Sequence, residues 1–228
     1  GSSGCRQLVL WNPEEREIIG GYRFICGADA KIINGKPWLT SEHLFDYSPE
    51  FIEDFLPYTI ELGRSFICPK YQSGASSTKS MYALDNLWDG IGALIVKFKA
   101  KYLFGKASIY SHFGDDAFAI IRHFLNLYFA DSRNLVYAKN PIKTDVSEEI
   151  KSLFCGNNYK DDYVVLKREL KKLDRHIPPL VNSYMNVSPS MIAFDSTINE
   201  DFGNVYETGL LVTTADMYEE KVKRHMEF

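Results

Sequence analysis

One short segment of the sequence combines an acid, a guanidinium group and a loop of small residues. Glu61 and Arg64 lie within T-I-E-L-G-R-S-F-I-C, residues 59–68, whose residue pattern is typical of a β-strand. Strict alternation places the glutamate on one face of that strand and the arginine on the other, and either face could line a cleft. These two side chains are therefore the first candidates for a functional site.

A loop of small polar residues follows the strand pattern, which stops at Pro69, and a long helical pattern comes after it. The free backbone N–H groups and the dipole at the start of a helix favour an anion such as a phosphate. A strand, a phosphate-sized loop and a helix in this order predict a cofactor site. Its candidate residues are Gln72, Ser73, Gly74, Ala75, Ser76 and Ser77.

The elements around this segment predict an α/β fold. Two apolar runs form a predicted hairpin, the dipeptide Asn34-Gly35 predicts a tighter one, and Ser48 is placed as the N-cap of a short helix. A strand–helix–strand–helix succession follows, which requires a parallel strand pair at some point. The predicted elements are strands at 7–12, 17–26, 59–68, 102–109 and 202–213, with helices near 81–95 and at 115–129.

Residues 131–175 are expected to be an insertion. This stretch contains turn signals, a short helix from Ser147 to Phe154 and an amphipathic helix from Asp161 to Arg175. Pro178 and Pro179 follow that helix, residues 184–194 continue the pattern, and the tail ends in a short charged helix.

Composition excludes several classes of function. The chain has 228 residues, 45% of them hydrophobic, and a net charge of −4, which argues against a nucleic-acid-binding surface. Its apolar runs are interrupted well before the ~20 residues that a membrane span needs. The four cysteines are widely separated with no C-x-x-C, so we expect reduced thiols, no metal site and a cytoplasmic protein. We take the first four residues, G-S-S-G, as a residual tag and residues 5–228 as a single domain.

The segment E-L-G-R-S-F-I-C-P-K-Y-Q, the small-residue loop and L-D-N-L-W-D-G-I-G-A-L together resemble the donor-binding core of the GNAT acyltransferases. The branch that they resemble is the ornithine-lipid type of N-acyltransferase, often labelled hemolysin-like. The segments G-G-Y-R-F-I, H-I-P-P-L-V-N-S-Y-M and F-G-N-V-Y-E-T-G-L-L-V fit the same branch. Acyl-homoserine-lactone synthases carry a similar E-x-x-R strand, so they stay open as an alternative.

This resemblance implies a GNAT-like fold, with a mixed, mostly antiparallel sheet, a splayed central strand pair and flanking helices. A GNAT fold ordinarily begins with a strand and one or two helices that wall the acceptor pocket, but only a few residues precede the strand at Gln7. We therefore expect the N-terminal portion of the fold to be missing.

The resemblance also implies catalytic roles in the transfer of an acyl group from a thioester to an amine. Glu61 would take a proton from the acceptor ammonium, directly or through a water. The backbone N–H groups of Phe66, Ile67 and Cys68 would stabilise the tetrahedral oxyanion. Arg64 would organise the site or bind the acceptor's carboxylate. A structural ion pair between the glutamate and an arginine is the alternative.

Three further residues are expected at the acceptor pocket. Arg23 competes for the acceptor's carboxylate because a guanidinium can bind a carboxylate through two hydrogen bonds, although a solvated strand arginine is the alternative. Glu42 and Phe45 belong to S-E-H-L-F, which resembles the family's S-E-x-x-F element. We interpret the adjacent His43 as structural.

The donor is expected to be an acyl-phosphopantetheine thioester, bound as a co-substrate with no tightly held cofactor. The loop departs from the family's glycine pattern at Ala75 and Ser77, which favours acyl carrier protein over coenzyme A. Six lysines and two acids lie between Lys70 and Lys106, a local charge of +4 that suits an acidic carrier protein. The residues proposed to dock it are Lys97, Lys99 and Lys101; a solvated helix end is the alternative.

The sequence thus predicts an N-acyltransferase that transfers a long or 3-hydroxylated acyl chain from acyl carrier protein to the α-amine of ornithine, glycine or lysine, the first step toward an aminolipid. Peripheral contact with the inner membrane face is part of this hypothesis. A lactone synthase, a non-catalytic acyl-binding module and a pore-forming hemolysin are the alternatives; no amphipathic or spanning segment supports the last.

Overall fold

The computed structural model describes residues 4–72, 83–143 and 146–227. Ten strands are assigned within these ranges: β1 (Arg6–Asn12), β2 (Glu17–Cys26), β3 (Ile32–Ile33), β4 (Lys36–Pro37), β5 (Phe45–Tyr47), β6 (Thr59–Ile67), β7 (Tyr102–Ile109), β8 (Val136–Ala138), β9 (Ile192–Asn199) and β10 (Val205–Thr213). The helices are α1 (Ala83–Phe98), α2 (Asp115–Phe129), α3 (Glu148–Lys151), α4 (Tyr159–Lys172), α5 (Pro179–Met185) and α6 (Glu219–His225). None of the described helices combines the length and the apolar composition that crossing a bilayer requires.

A six-stranded sheet in the order β1-β2-β6-β7-β10-β9 forms the centre of the molecule. Neighbouring strands pair antiparallel except for β6 and β7, which pair parallel from Thr59 and Tyr102 to Leu62 and Gly105. The absence of a side chain at Gly105 permits this pairing, because a Cβ there would lie 2.8 Å from the carbonyl oxygen of Leu62.

Beyond that last pair the two central strands separate. β6 stays paired with β2 as far as Ile67, and β7 stays paired with β10 as far as Ile109, so each strand follows its outer neighbour. The sheet therefore opens into a V between its middle strands. This opening confirms the splayed central pair, and the mixed, mostly antiparallel sheet is the one expected of a GNAT-like fold.

The two faces of the sheet carry separate apolar cores. On one face the sheet packs against α1, α2, α4 and α5. On the other, Ile25 and Phe104 pack against the segment 39–56 and β8. The second layer covers only the end of the sheet before the V, so the same face is open beyond it.

Most of the predicted elements are present. The hairpin of β1 and β2 is confirmed, Asn34 and Gly35 form the tight turn between β3 and β4 with φ of 51° and 76°, and the bounds of β7 and α2 match the predicted ones. Ser48 caps its helix by accepting a hydrogen bond from the N–H of Phe51 at 3.0 Å, although that helix is a π turn followed by a 3-10 turn.

Two regions differ from the prediction. The element expected over 184–194 is instead the end of α5, a loop and the beginning of β9, because Pro179 starts a new helix at its first position. Within the expected insertion, Leu166 and Leu170 are fully buried in the main core beside α2. The stretch 131–175 therefore contributes to the packing of the domain. The prediction that it is an insertion specific to one family stays a prediction.

Candidate active site

A cleft of about 1030 Å³ lies in and above the V between β6 and β7. Its floor is the open face of the sheet, and its walls come from the segments 38–43, 110–113, 174–180 and 199–202. One part of the lining is polar and includes Arg23, Glu61, Arg64, Lys106 and Glu207. The other part is apolar and includes Ile109, Phe113, Ile177, Pro178 and Leu180.

Glu61 is only 2% exposed, yet its carboxylate borders the cleft. It accepts hydrogen bonds from the backbone N–H groups of Thr40 at 2.8 Å and Ser41 at 3.0 Å, and from the Ser41 hydroxyl. Tyr47 lies behind, 2.8 Å from the same hydroxyl. Burial, followed by the charge of Glu61, holds the pKa of Tyr47 well above its usual range, so its hydroxyl stays protonated and donates toward Ser41.

All the hydrogen bonds that the structure shows for Glu61 come from neutral donors. Dipoles orient and stabilise a carboxylate without cancelling its charge. The carboxylate therefore faces the cleft with a net negative charge, and the ion pair with an arginine that the sequence left open is not what holds it.

Arg64 reaches the cleft because of a β-bulge. Gly21 pairs with Phe66 and Arg23 with Gly63, so two residues of β6 stand opposite one residue of β2. Arg64 takes up the irregularity with a left-handed φ of 51°, and its guanidinium lies 5.8 Å from the ring centroid of Phe202. A bulge re-aims side chains, so strict alternation does not describe this part of β6, and Arg64 lines the same cleft as Glu61.

Arg23 lies on β2 directly opposite Gly63. Its Nε is buried and has no hydrogen-bond partner within the described parts of the chain, which is a costly state for a charged group. Above Gly63 the space is open, because an added Cβ would meet just one atom within 4 Å, the Thr40 hydroxyl oxygen at 3.7 Å. Arg23 and Glu61 thus both line the cleft beside the open space above Gly63.

Glu207 is a second buried acid on the cleft, and sequence reasoning missed it. It is 1% exposed and lies on β10, where Lys106 contacts it at 2.6 Å. Ser108 donates to it at 2.8 Å and Asn199 at 3.1 Å. The available signal was a lone acid in the apolar run V-Y-E-T-G-L-L-V.

The expected acceptor residues are placed differently from one another. Glu42 lines the cleft, and so does the exposed His43. Phe45 is 1% exposed, lies in the core under β10, and is not among the residues that line the cleft. Its expected contact with an acceptor is therefore corrected to a packing role, because its place on β5 turns the ring into the core.

The expected donor residues fall partly outside the described residues. Ser73, Gly74, Ala75, Ser76 and Ser77 all do, and Gln72, at their border, donates to the carbonyl of Ile67 at 2.9 Å. The N–H of Cys68 donates to the carbonyl of Ile19 at 2.8 Å, so it is not free to bind an oxyanion. Phe66 pairs with Gly21, two residues along the same ladder, so its N–H also points toward β2, whereas that of Ile67 points away from β2 and stays a candidate for the role.

The three docking lysines lie at the other end of the central strand. Lys101 stands over the ring of Tyr58 at 3.9 Å, just before β6 begins, and Lys97 stands over Phe98 at 5.6 Å. Lys99 is between them with φ of 50°. Ile67, the last residue of β6, is roughly 27 Å away at the rise of a strand. Carrier-protein docking at these lysines stays a prediction.

Comparison with known proteins agrees with this geometry. Residues 3–81 match the model of the acetyltransferase (GNAT) domain, which includes β1, β2 and β6. A glycine Nα-acyltransferase of Phocaeicola vulgatus is 44% identical over 225 residues, which are 97% of this chain and 69% of that enzyme. The chain belongs to this family of GNAT N-acyltransferases. A second glycine Nα-acyltransferase, from Bacteroides thetaiotaomicron, is also 44% identical, over 97% of this chain and 67% of its own length.

One solved structure is similar over much of the chain. The CoA-dependent acyl-homoserine lactone synthase MesI is 10% identical to this chain, with a TM-score of 0.34. The match covers 97% of this chain and 69% of MesI. A similarity at that level carries no argument about substrate. The assignment to the GNAT N-acyltransferases rests on the sequence relatives and on the matched domain.

Proposed function

We propose that this N-acyltransferase transfers an acyl chain from a phosphopantetheine thioester to the α-amino group of glycine. The observation that carries the proposal is that Arg23, opposite Gly63, and Glu61, two residues before it, both line the cleft beside the open space above Gly63. A guanidinium suits the carboxylate of an amino acid, and a carboxylate suits its ammonium. Two 44%-identical relatives named as glycine Nα-acyltransferases support the choice of glycine.

The chemistry needs few protein groups. Glu61 takes a proton from the bound ammonium, directly or through one water, which frees the amine. The amine nitrogen attacks the thioester carbonyl carbon and the C–N bond forms. The oxyanion then collapses, the C–S bond breaks, and the second proton lost by the nitrogen passes to the departing sulfur, directly or through water, so that the thiol is released while Glu61 returns its own proton to solvent. The backbone N–H of Ile67, beside the V, is the proposed donor to the oxyanion.

The apolar part of the cleft is the proposed site of the acyl chain. Ile109, Phe113, Ile177 and Leu180 line it, and burial of methylene groups against such side chains stabilises a chain by ~0.8 kcal/mol for each CH₂. A long acyl group, with or without a 3-hydroxyl, fits that lining. We keep acyl carrier protein as the proposed carrier, because Ala75 and Ser77 stand where the family's phosphate loop has glycine.

The test is a product assay with purified protein. Acyl carrier protein and coenzyme A are each loaded with the same 3-hydroxyacyl group and offered with glycine, ornithine, lysine or S-adenosylmethionine, and mass spectrometry identifies the product. N-acylglycine is the expected product, with faster turnover of the carrier-bound donor. A lactone formed from S-adenosylmethionine, or acylation of none of the amino acids, would overturn the proposal.

A further inference from the structure

The charged pair of Lys106 and Glu207 is the feature of the cleft that the proposed reaction does not use. The Nζ and Oε1 atoms are 2.6 Å apart, and the exposed fractions of the two side chains are 20% and 1%. Ser108 donates to the other carboxylate oxygen at 2.8 Å, and Asn199 donates to the first at 3.1 Å. Both oxygens of Glu207 are therefore occupied, and its charge is neutralised from within the chain.

This pair shares the floor of the cleft with the proposed acceptor site. The last parallel pair is Leu62 with Gly105. Lys106 is the next residue of β7, and Gly63 is the corresponding residue of β6. Lys106 lies two residues after Phe104, which pairs with Glu61, so its side chain is on the same face as the Glu61 carboxylate. The lysine therefore borders the space in which the acceptor's amino and carboxyl groups would bind.

Stability does not explain a buried ion pair at this place. The cost of removing two charges from water often cancels their attraction, and a well-packed apolar pair would serve as well. An unpaired Glu207 would instead form a second anionic site on the cleft, attractive to any ammonium group carried by an acceptor. The side-chain ammonium of Lys106 occupies that site.

Resting on the proposed function, we propose that Lys106 determines acceptor specificity. Its ammonium takes the place that the side-chain ammonium of ornithine or lysine would take beside Glu207. A basic amino acid then finds a cation where its own side chain needs an anion, and like charges repel it. Glycine has no side chain and is unaffected.

The decisive variant is Lys106→Ala, which opens the space and leaves Glu207 without its counter-ion. The ratio of kcat/KM for ornithine to that for glycine should rise by about tenfold or more, the factor that one hydrogen bond to a charged group supplies. Norvaline, which has the same carbon chain without the ammonium, is the matched control and should gain much less. Lys106→Arg should keep ornithine excluded.

Two further measurements do not depend on turnover by this variant. Ornithine should raise the Tm of Lys106→Ala more than glycine or norvaline does, and this difference should disappear in Lys106→Ala/Glu207→Gln. The single variant Glu207→Gln releases the lysine from its counter-ion, so acceptors with a side-chain carboxylate, such as aspartate, should gain about tenfold relative to glycine.

The inference would be overturned by equal gains for ornithine and norvaline, by an unchanged ornithine-to-glycine ratio in folded Lys106→Ala, or by no gain for aspartate in Glu207→Gln. The first would show that the lysine only fills volume. A loss of glycine binding alone would make Lys106 a ligand of the acceptor's carboxylate and would equally sink the idea. Failure of the wild-type protein to acylate any amino acid would count against the proposed function instead.

Discussion

Two buried glutamates lie on the two sides of the V, and their surroundings differ. Glu61, on β6, is 2% exposed and is held by the neutral donors of Thr40 and Ser41. Glu207, on β10, is 1% exposed and is held by the ammonium of Lys106. Burial alone therefore does not decide what a carboxylate does. Neutral donors leave a charge that can attract and deprotonate an ammonium, whereas a lysine cancels it.

The largest effect is expected from the acid with neutral donors. Glu61→Gln preserves shape but removes the proton acceptor, so kcat for glycine should fall by about 10²–10⁴, the contribution usual for general base catalysis. Steady-state kinetics at saturating donor measure it. Glu207→Gln is the matched control in the other half of the cleft and should lose much less. Equal losses would abolish the distinction between the two acids, and an unaffected Glu61→Gln would leave a water chain or His43 as the base.

Arg23 should give the next largest effect. Arg23→Ala removes the proposed ligand of the acceptor's carboxylate, so KM for glycine should rise by about tenfold to a hundredfold while kcat changes less. Arg64→Ala is the control, because its guanidinium lies over Phe202 and not opposite Gly63. A larger rise in KM from Arg64→Ala would assign the carboxylate to that residue.

Much of the fold could be predicted because its signals are local. Asn-Gly turns, N-caps and apolar periodicity act within a few residues, and they gave β7 and α2 with the observed bounds. The start of α5 was missed because two prolines end one helix and begin another, and the sequence alone does not separate these two effects.

The site was predicted less completely because its geometry is not local. The chemistry around Glu61 depends on backbone groups twenty residues earlier, at Thr40 and Ser41. The position of Arg64 depends on a bulge that follows from pairing with β2, and the pairing of Glu207 with Lys106 joins residues 101 positions apart. Strand register decides all three, and a single sequence does not contain it.

A smaller effect is expected from the donors that hold Glu61, the proposed base. Ser41→Ala removes one of the three hydrogen bonds to Glu61, so kcat should fall by about tenfold, the worth of one hydrogen bond to a charged group. The control is the same change in the Glu61→Gln background, where it should cost almost nothing further. Additive losses in this double-mutant cycle would mean that Ser41 acts elsewhere, and Ser41→Thr should restore activity if the hydroxyl is what matters.

The smallest effect on catalysis is expected from a third buried carboxylate, remote from the cleft. Asp162, on α4, is 2% exposed and, like Glu61, is held by neutral donors, the Tyr128 hydroxyl at 2.5 Å and the N–H groups of Cys155 at 3.0 Å and Gly156 at 2.8 Å. Burial alone would raise the pKa of Asp162, but these hydrogen bonds outweigh it, and the net shift is downward. Asp162 and its neutral donors therefore form a structural clamp, because this carboxylate does not line the cleft.

The variant Asp162→Asn tests whether this carboxylate stabilises the fold without contributing to catalysis. A carboxyl whose pKa is lowered in the folded state contributes stability above its unfolded value of about 3.9, and that contribution disappears as the pH falls through the folded value. The variant should therefore be less stable by about 1–3 kcal/mol at pH 7, measured by urea unfolding, and the difference from wild type should shrink as the pH falls below about 4. Tyr128→Phe, which removes one donor of the three described, should lose less. Activity per folded molecule should be unchanged in both variants, because neither side chain lines the cleft; a fall in kcat comparable to that of Ser41→Ala would show that the clamp positions the active site as well as the fold.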